Sequence, residues 1–175
     1  ERILYYARLQ ADHVDYKFET VNLNECAISC LEAFQTIAEE KNIDVQLHLN
    51  PVCVVSDIKV LSFMISQLLS NAFKYTASNA GVVRISCNES NRKVVFAVCD
   101  NGKGVPSEDL PFIFDKGFTG NHLSRQSATG LGLYLVKKYA EALAIEVEMD
   151  SKLAGDNGFN IQLVFPVISV TDFKE

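Results

Sequence analysis

A chain of 175 residues, 48% hydrophobic by composition, is sized for one domain with a full core. Its net charge of −6 opposes a general nucleic-acid or anionic-membrane surface, both of which need a basic field, so any phosphate would have to be bound locally. No apolar run approaches the roughly 18 residues needed to cross a bilayer, and the opening ERILYYARL lacks the form of a signal peptide, so a soluble piece is expected. Cys26, Cys30, Cys53, Cys87 and Cys99 are odd in number and show no CxxC, which disfavours a disulfide framework and fits a reducing compartment. Cys26 and Cys30 could share a helix face as metal ligands, but no paired His or Cys lies near them, and small buried thiols are the better reading.

Glu1 to about Ala11 reads as a helix without a starting cap, as though it continued a longer one. Ile3, Leu4, Tyr6, Ala7 and Leu9 make it too apolar to stand free. YKFETVNL alternates as a strand does, and Asn22 or Asn24 can cap a helix running to about Lys41. IDVQLHLN alternates again, which puts Ile43, Val45, Leu47 and Leu49 on one face of a half-buried strand. After Pro51 and the short VCVV, Ser56-Asp57 offers the cap of a helix that runs to about Thr76. Its apolar stripe of Leu61, Ile65, Leu68, Leu69 and Ala72 belongs against the core, while Gln67, Asn71, Lys74 and Tyr75 share another side. VVRISCNES and KVVFAVCD make a strand pair around Asn91-Arg92. Then comes DNGKGVP, followed by roughly 25 residues of little pattern up to Gly130, a length typical of functional lids or disordered segments. Leu131, Leu135, Tyr139, Ala142 and Leu143 return to helical spacing. AIEVEMD and FNIQLVFPV close the chain as two alternating strands around a Gly155 to Gly158 turn, and no repeat or domain linker stands out past Val14. Helices mixed with antiparallel hairpins give an α+β class, with the helices on one face of a mixed sheet.

Three clusters carry chemistry. Gly130 and Gly132 stand where an irregular polar run becomes a helix. Such a helix start presents unpaired N–H groups and the positive end of a dipole to a phosphate, although the same glycines serve close packing of helix on sheet. In DNGKGV, Asp100 ends a buried-looking strand as a fixed acceptor, and Gly102 and Gly104 let a flat ligand approach the backbone; a plain surface turn uses the same residues. On the polar helix face, Asn71 is an oxygen ligand of the kind Mg²⁺ accepts beside phosphates and water, or a solvated amide; Lys74 is a phosphate contact or a solvated lysine. The three together, in this order and with a long lid between two of them, are hard to read as coincidence.

With these residues in view the chain resembles the GHKL ATP-binding fold of bacterial sensor histidine kinases. SQLLSNAFKYT is similar to its N box, DNGKGV to the first glycine box, IFDKGFTG to the F box and ATGLGLYLVKK to the second glycine box, over about Val14 to Val167. The resemblance implies a two-layer sandwich of about three helices on a five-stranded mixed sheet, with ATP and Mg²⁺ between the N-box helix and a mobile lid. It implies that Asn71 binds Mg²⁺, that Lys74 touches the phosphates, that Tyr75 lies near the base, and that Asp100 accepts from the adenine amino group. Gly102, Gly104, Gly130 and Gly132 would make room for nucleotide, flanked in the same boxes by Val105, Thr129 and Leu131. Lys116 matches a basic position able to reach the terminal phosphate, and Phe114 and Phe118 would anchor the lid. GFTG, ATGLGLYLVKK and YYARL look more like the intramembrane-sensing kinases linked to cell-wall antibiotics and antimicrobial peptides than like the commonest kinases; Ala128, where many members have glycine, departs from the pattern.

Two absences refine what the resemblance implies. His13, His48 and His122 lack the acidic–basic–Thr-Pro context of a phosphoacceptor; the opening helix resembles the tail of the dimerisation helix that would carry one, which implies that residues 1–13 are that tail and 14–175 the ATP-binding domain. Such a piece would bind ATP without phosphorylating itself, its partners being the histidine-bearing dimerisation domain and a response regulator. The full-length protein would be a membrane-attached homodimer with this domain in the cytoplasm. Second, related ATPases such as gyrase and the Hsp90 chaperones place a Glu one helical turn before the metal-binding Asn. Here that residue is Gln67, whose amide is no useful base near neutral pH, so hydrolysis should be negligible.

A Rossmann site is disfavoured because neither GxG has the third glycine or the acidic residue further on, and no GKS or GKT P-loop exists. A GHKL ATPase and a nucleotide-binding module without catalysis are the alternatives. A ligand-free interaction domain leaves the polar helix face and the lid unexplained.

Overall fold

The structure is a computed structural model that describes residues 15–77, 79–120, 129–150 and 158–166. The expected N-terminal helix, His13, His122, Ala128 and most of the turn from Gly155 lie outside these residues.

Seven strands and four α-helices are described. The strands are β1 (Phe18–Asn22), β2 (Asp44–Leu49), β3 (Cys53–Asp57), β4 (Val82–Ser90), β5 (Lys93–Asp100), β6 (Glu146–Asp150) and β7 (Phe159–Pro166); the helices are α1 (Leu23–Glu32), α2 (Gln35–Glu40), α3 (Ile58–Tyr75) and α4 (Gly132–Ala142). The main sheet has five strands in the order β2-β4-β5-β7-β6. It is mixed as expected, since β2 runs parallel to β4 and the other pairs are antiparallel. Asn91 and Arg92 both take positive φ, 50° and 61°, which gives the β4–β5 hairpin the twist that its strands need. The CVV of VCVV, given no element from sequence, forms β3 together with Ser56 and Asp57, and β3 pairs with β1 in a separate two-stranded ribbon.

The helix caps follow from short polar side chains. Asn22 Oδ1 accepts from the N–H groups of Asn24 and Glu25, so Asn22, not Asn24, starts α1. Asp57 Oδ1 accepts from Lys59 and Val60 at 2.9 and 3.1 Å and starts α3. Along α3 the expected stripe is fully realised: Leu61, Ile65, Leu68, Leu69 and Ala72 are all buried, with Met64 and Phe73 beside them. They meet Val83, Ile85, Phe96, Val98, Ile161 and Leu163 from the sheet in one core.

Two expectations are corrected. The helix from Asn22 does not run unbroken to Lys41; it stops at Glu32 and resumes as α2. The break at Phe34 lets its ring stack on Phe73 of α3, with centroids 5.2 Å apart and planes 6° from parallel, and that aromatic contact outweighs helical continuity. Ile43, just before β2, and Val45 on it turn inward, but Leu47 is 46% exposed. β2 is an edge strand with a single neighbour, and the helical layer does not reach over its middle.

Cys26, Cys30 and Cys87 are buried and Cys99 half-buried, but Cys53 is exposed. Cys26 and Cys30 face Ser62 across the α1–α3 contact, with Cys26 Sγ 3.4 Å from Ser62 Oγ. The hydrogen bond with Cys30, and then burial, push the Cys26 thiol up. Among the described residues no group of three or more His, Cys, Asp or Glu could hold a metal, and no helix is long and apolar enough to cross a membrane.

Candidate functional site

The side of α3 turned away from the core forms one wall of a cleft of about 260 Å³, to which Gln67, Ser70, Asn71, Lys74 and Tyr75 contribute. A helix with an apolar stripe on the sheet must present its remaining faces elsewhere, and here one of them is roofed by loops. The floor comes from the end of the sheet. Asp100, the last residue of β5, pairs in register with Phe159, the first of β7, and both line the cleft.

Asp100 is 6% exposed. Burial pushes its carboxyl up to about 6, partly opposed by the Gly102 N–H, which donates to Asp100 Oδ1 at 2.8 Å. A carboxylate set at the base of a cleft with one backbone donor on Oδ1 keeps acceptor capacity for a ligand N–H. Gly102 lies beneath the cleft rather than in its lining. A β carbon there would sit 2.0 Å from the Tyr75 carbonyl oxygen, so the first glycine of DNGKGV is required for packing on α3.

Gly104 takes φ +67°, and a β carbon on it would reach 2.8 Å from the Gly158 carbonyl oxygen. Gly130 takes φ +64° and packs against the backbone of Gly117 and Phe118; its carbonyl accepts from the Gly117 N–H at 3.0 Å. This ties the second glycine box to the F box at the cleft's rim. Gly132 begins α4 and touches Gln67. Unlike α1 and α3, α4 has no side-chain cap, so its first N–H groups face the cleft end without a side-chain acceptor.

Of the expected residues, the cleft gathers Asn71, Lys74, Tyr75, Asp100, Gly104, Val105, Thr129, Gly130 and Gly132, together with Phe118. Four stand outside its lining. Gly102 is the packing glycine just described. Phe114 is packed against the core with Lys137 Nζ 5.9 Å from its ring centroid. Lys116 is exposed, and Leu131 precedes α4 at 37% exposure.

Sequence reasoning passed over Lys103, Ser70, Asp109 and Phe159, all of which line the cleft. The one sequence signal for Lys103 was its place inside DNGKGV. Its Nζ lies 5.0 Å from the Tyr75 ring centroid, and Lys74 Nζ lies 5.2 Å from the same centroid, so two cations flank one aromatic ring at the cleft.

Residues 56–168 match the model of a family described as histidine kinase-, DNA gyrase B-, and HSP90-like ATPase. The chain belongs to this ATPase family. Among curated proteins it is 37% identical to the sensor protein BceS of Halalkalibacterium halodurans over 93% of its own length and 48% of that protein. It is 34% identical to the sensor histidine kinase GraS of Staphylococcus epidermidis over 95% of its own length and 47% of that protein. The chain thus spans about half the length of the curated relatives it matches. The catalytic domain of histidine kinase ThkA in a nucleotide-free form shares the fold, with a TM-score of 0.75 at 24% identity over 86% of this chain and 97% of that one. The mycobacterial sensor histidine kinase MprB does so with a TM-score of 0.74 at 22% identity, over 85% and 97%.

ATP with Mg²⁺ is the ligand that membership of the ATPase family brings to this cleft, and the residues present fit it. Asp100 supplies an acceptor for a base amino group, Asn71 one neutral oxygen for a hard cation, Lys74 and Lys103 positive charge, and α4 an uncapped N-terminus for phosphate. Mg²⁺ binds readily with few protein ligands when phosphate oxygens complete its shell.

Proposed function

We propose that the chain is the ATP-binding catalytic domain of a bacterial sensor histidine kinase. It passes the γ-phosphate of ATP to a histidine on a dimerisation domain of the same protein, from which a response regulator receives it. The observation that carries this reading is a cleft that unites Asn71 and Lys74 on α3 with Asp100 at the sheet end and has Gln67 in its lining; by the resemblance to gyrase-type ATPases, Gln67 takes the place of their general-base Glu. An amide there holds water or substrate by hydrogen bonds but takes no proton, so the phosphoryl group is kept for a better nucleophile.

In this reading Asp100 accepts from the adenine amino group beside Gly104 and Val105. Tyr75 borders the base, Asn71 holds Mg²⁺, and Lys74 meets the phosphates with the α4 N-terminus and the Thr129–Gly132 turn. Lys116 approaches from the F box, and Phe114 and Phe118 anchor the lid. ATP supplies the phosphoryl group; the protein supplies position and charge neutralisation. Residues 1–13 are the tail of the dimerisation helix and 14–175 the catalytic domain. The whole protein is a membrane-attached homodimer with this domain in the cytoplasm, of the type that senses cell-wall antibiotics and antimicrobial peptides, which the kinship to BceS and GraS supports.

The test is phosphotransfer in trans. Incubated with radiolabelled ATP, the chain should form no acid-labile phosphate on itself and should label a separately supplied dimerisation domain from a BceS-type kinase. Label on the chain alone, or rapid release of inorganic phosphate, would contradict the proposal.

A further inference from the structure

Between the buried floor and the helical wall stands one side chain that does not line the cleft. Asn101 follows Asp100 and precedes Gly102. Its Oδ1 accepts from the Val82 N–H at 2.8 Å and from the Thr76 hydroxyl at 3.0 Å, and its Nδ2 donates to the Ala80 carbonyl at 2.8 Å. Its own N–H donates to the Val82 carbonyl at 3.2 Å, so backbone and side chain together extend the β4–β5 ladder by one more pair of bonds.

The three partners belong to the connection that leaves α3. Thr76 is the C-cap of α3, is 8% exposed, and gives its N–H to the Ala72 carbonyl. Ala80 takes a positive φ of 55°, a conformation that an alanine holds only when its surroundings impose it. Val82 begins β4. The end of the helix that bears Asn71, Lys74 and Tyr75 is therefore fastened to the end of the strand that bears Asp100 through one amide.

The neighbours of Asn101 complete the link. Gly102 packs on the Tyr75 carbonyl so closely that no β carbon fits, and the Lys103 N–H donates to that same carbonyl at 3.4 Å. A shift of Asn101 would carry Asp100 on one side and the Tyr75 contact on the other.

We propose that Asn101 is the positioning residue that sets Asp100 in register with Asn71, Lys74 and Tyr75, so that one nucleotide is held at its base and at its phosphates together. This rests on the reading of the cleft as a nucleotide site. Asn101 touches no ligand; it acts through the residues it fastens.

Calorimetric titration of the folded chain with ATP and with adenosine separates the two ideas. Asn101→Ala, which leaves the Val82 N–H without its side-chain acceptor and the Thr76 hydroxyl with only the more distant Val82 carbonyl at 3.4 Å, should weaken both ligands by roughly 10-fold, since the base acceptor moves relative to α3. Thr76→Val, close in shape, should weaken both by about 3-fold, and Thr76→Ser, which keeps the hydroxyl, should restore them. A role in stability alone would lower the melting temperature of Asn101→Ala and Thr76→Val while leaving the affinities of the folded protein unchanged, and that result overturns the proposal with the nucleotide site intact. If Asn101→Ala does not fold, the Thr76 pair decides by the same criterion. Failure of the wild-type chain to bind either ligand overturns the reading of the site and this inference with it.

Discussion

Gln67 and Gly132 touch: a β carbon on Gly132 would lie 2.6 Å from Gln67 Oε1. The residue proposed to separate transfer from hydrolysis thus sits against the first residue of the uncapped helix α4, where phosphate is expected. The comparable contact at Gly102 is with backbone, the Tyr75 carbonyl, at 2.0 Å. A flexible amide can swing away, whereas a helix backbone cannot.

The two glycines should therefore respond differently to alanine. Gly102→Ala should cost about 1–3 kcal/mol, as overpacking against fixed atoms does, read from the shift of a urea midpoint. Gly132→Ala should stay within about 0.5 kcal/mol of wild type in the same assay yet lose ATP affinity, because the displaced Gln67 side chain must enter the cleft.

Gln67→Glu should convert the domain toward hydrolysis. A carboxylate in this place can take a proton from water, and general bases contribute on the order of 10²–10⁴-fold to rate, so phosphate release should rise at least about 10-fold over a very slow wild type. Measured release unchanged in Gln67→Glu, with ATP still bound, would count against the role given to this position.

Asp100 gives binding and stability opposite dependences on pH. Its pKa is raised to about 6 from the ordinary 3.8 by burial, so the folded state holds the proton more tightly than the unfolded state does. The contribution of this group to stability is full below about pH 4, falls as pH rises toward 6, and is level above. Nucleotide affinity should run the other way and rise as the carboxyl ionises through about 6. Asp100→Asn should be more stable than wild type at pH 8, equal to it near pH 4, and should bind ATP weakly without the pH dependence. Thermal melts and titrations across that range check both.

Packing predictions separate core from edge. Phe73→Ala removes a ring that is 1% exposed and stacked on Phe34, and should cost about 3–5 kcal/mol in denaturant melts. Leu47→Ser, on the uncovered edge strand, should change stability by no more than about 0.5 kcal/mol.

Much of this architecture was readable from residues alone, for physical reasons. The α3 stripe was legible because helical spacing of Leu61, Ile65, Leu68 and Leu69 leaves only one way to bury them. The β4–β5 hairpin was legible from alternation on both sides of Asn91-Arg92. The break before Phe34 was not, because it depends on a ring 39 residues further along, at Phe73. Nor was the exposure of Leu47, which follows from the place of β2 at the sheet edge and not from its own alternation. In the site, the places of Asp100, Asn71, Gly104, Gly130 and Gly132 at the cleft were legible from their motifs, whereas the packing role of Gly102 against Tyr75 was not. Lys103 was overlooked because its charge reads as ordinary solvation until the ring of Tyr75 is seen beside it. Asn101 was overlooked because its partners, Thr76, Ala80 and Val82, come from the far side of a tight connection.

The most direct test is a calorimetric titration of the purified chain with ATP, with and without Mg²⁺, alongside Asp100→Ala. One-to-one binding that tightens with Mg²⁺ and is lost in Asp100→Ala is the expected result. An Asp100→Ala protein that is folded and binds ATP as wild type does, or a wild-type chain that does not bind it, would contradict the assignment of this cleft.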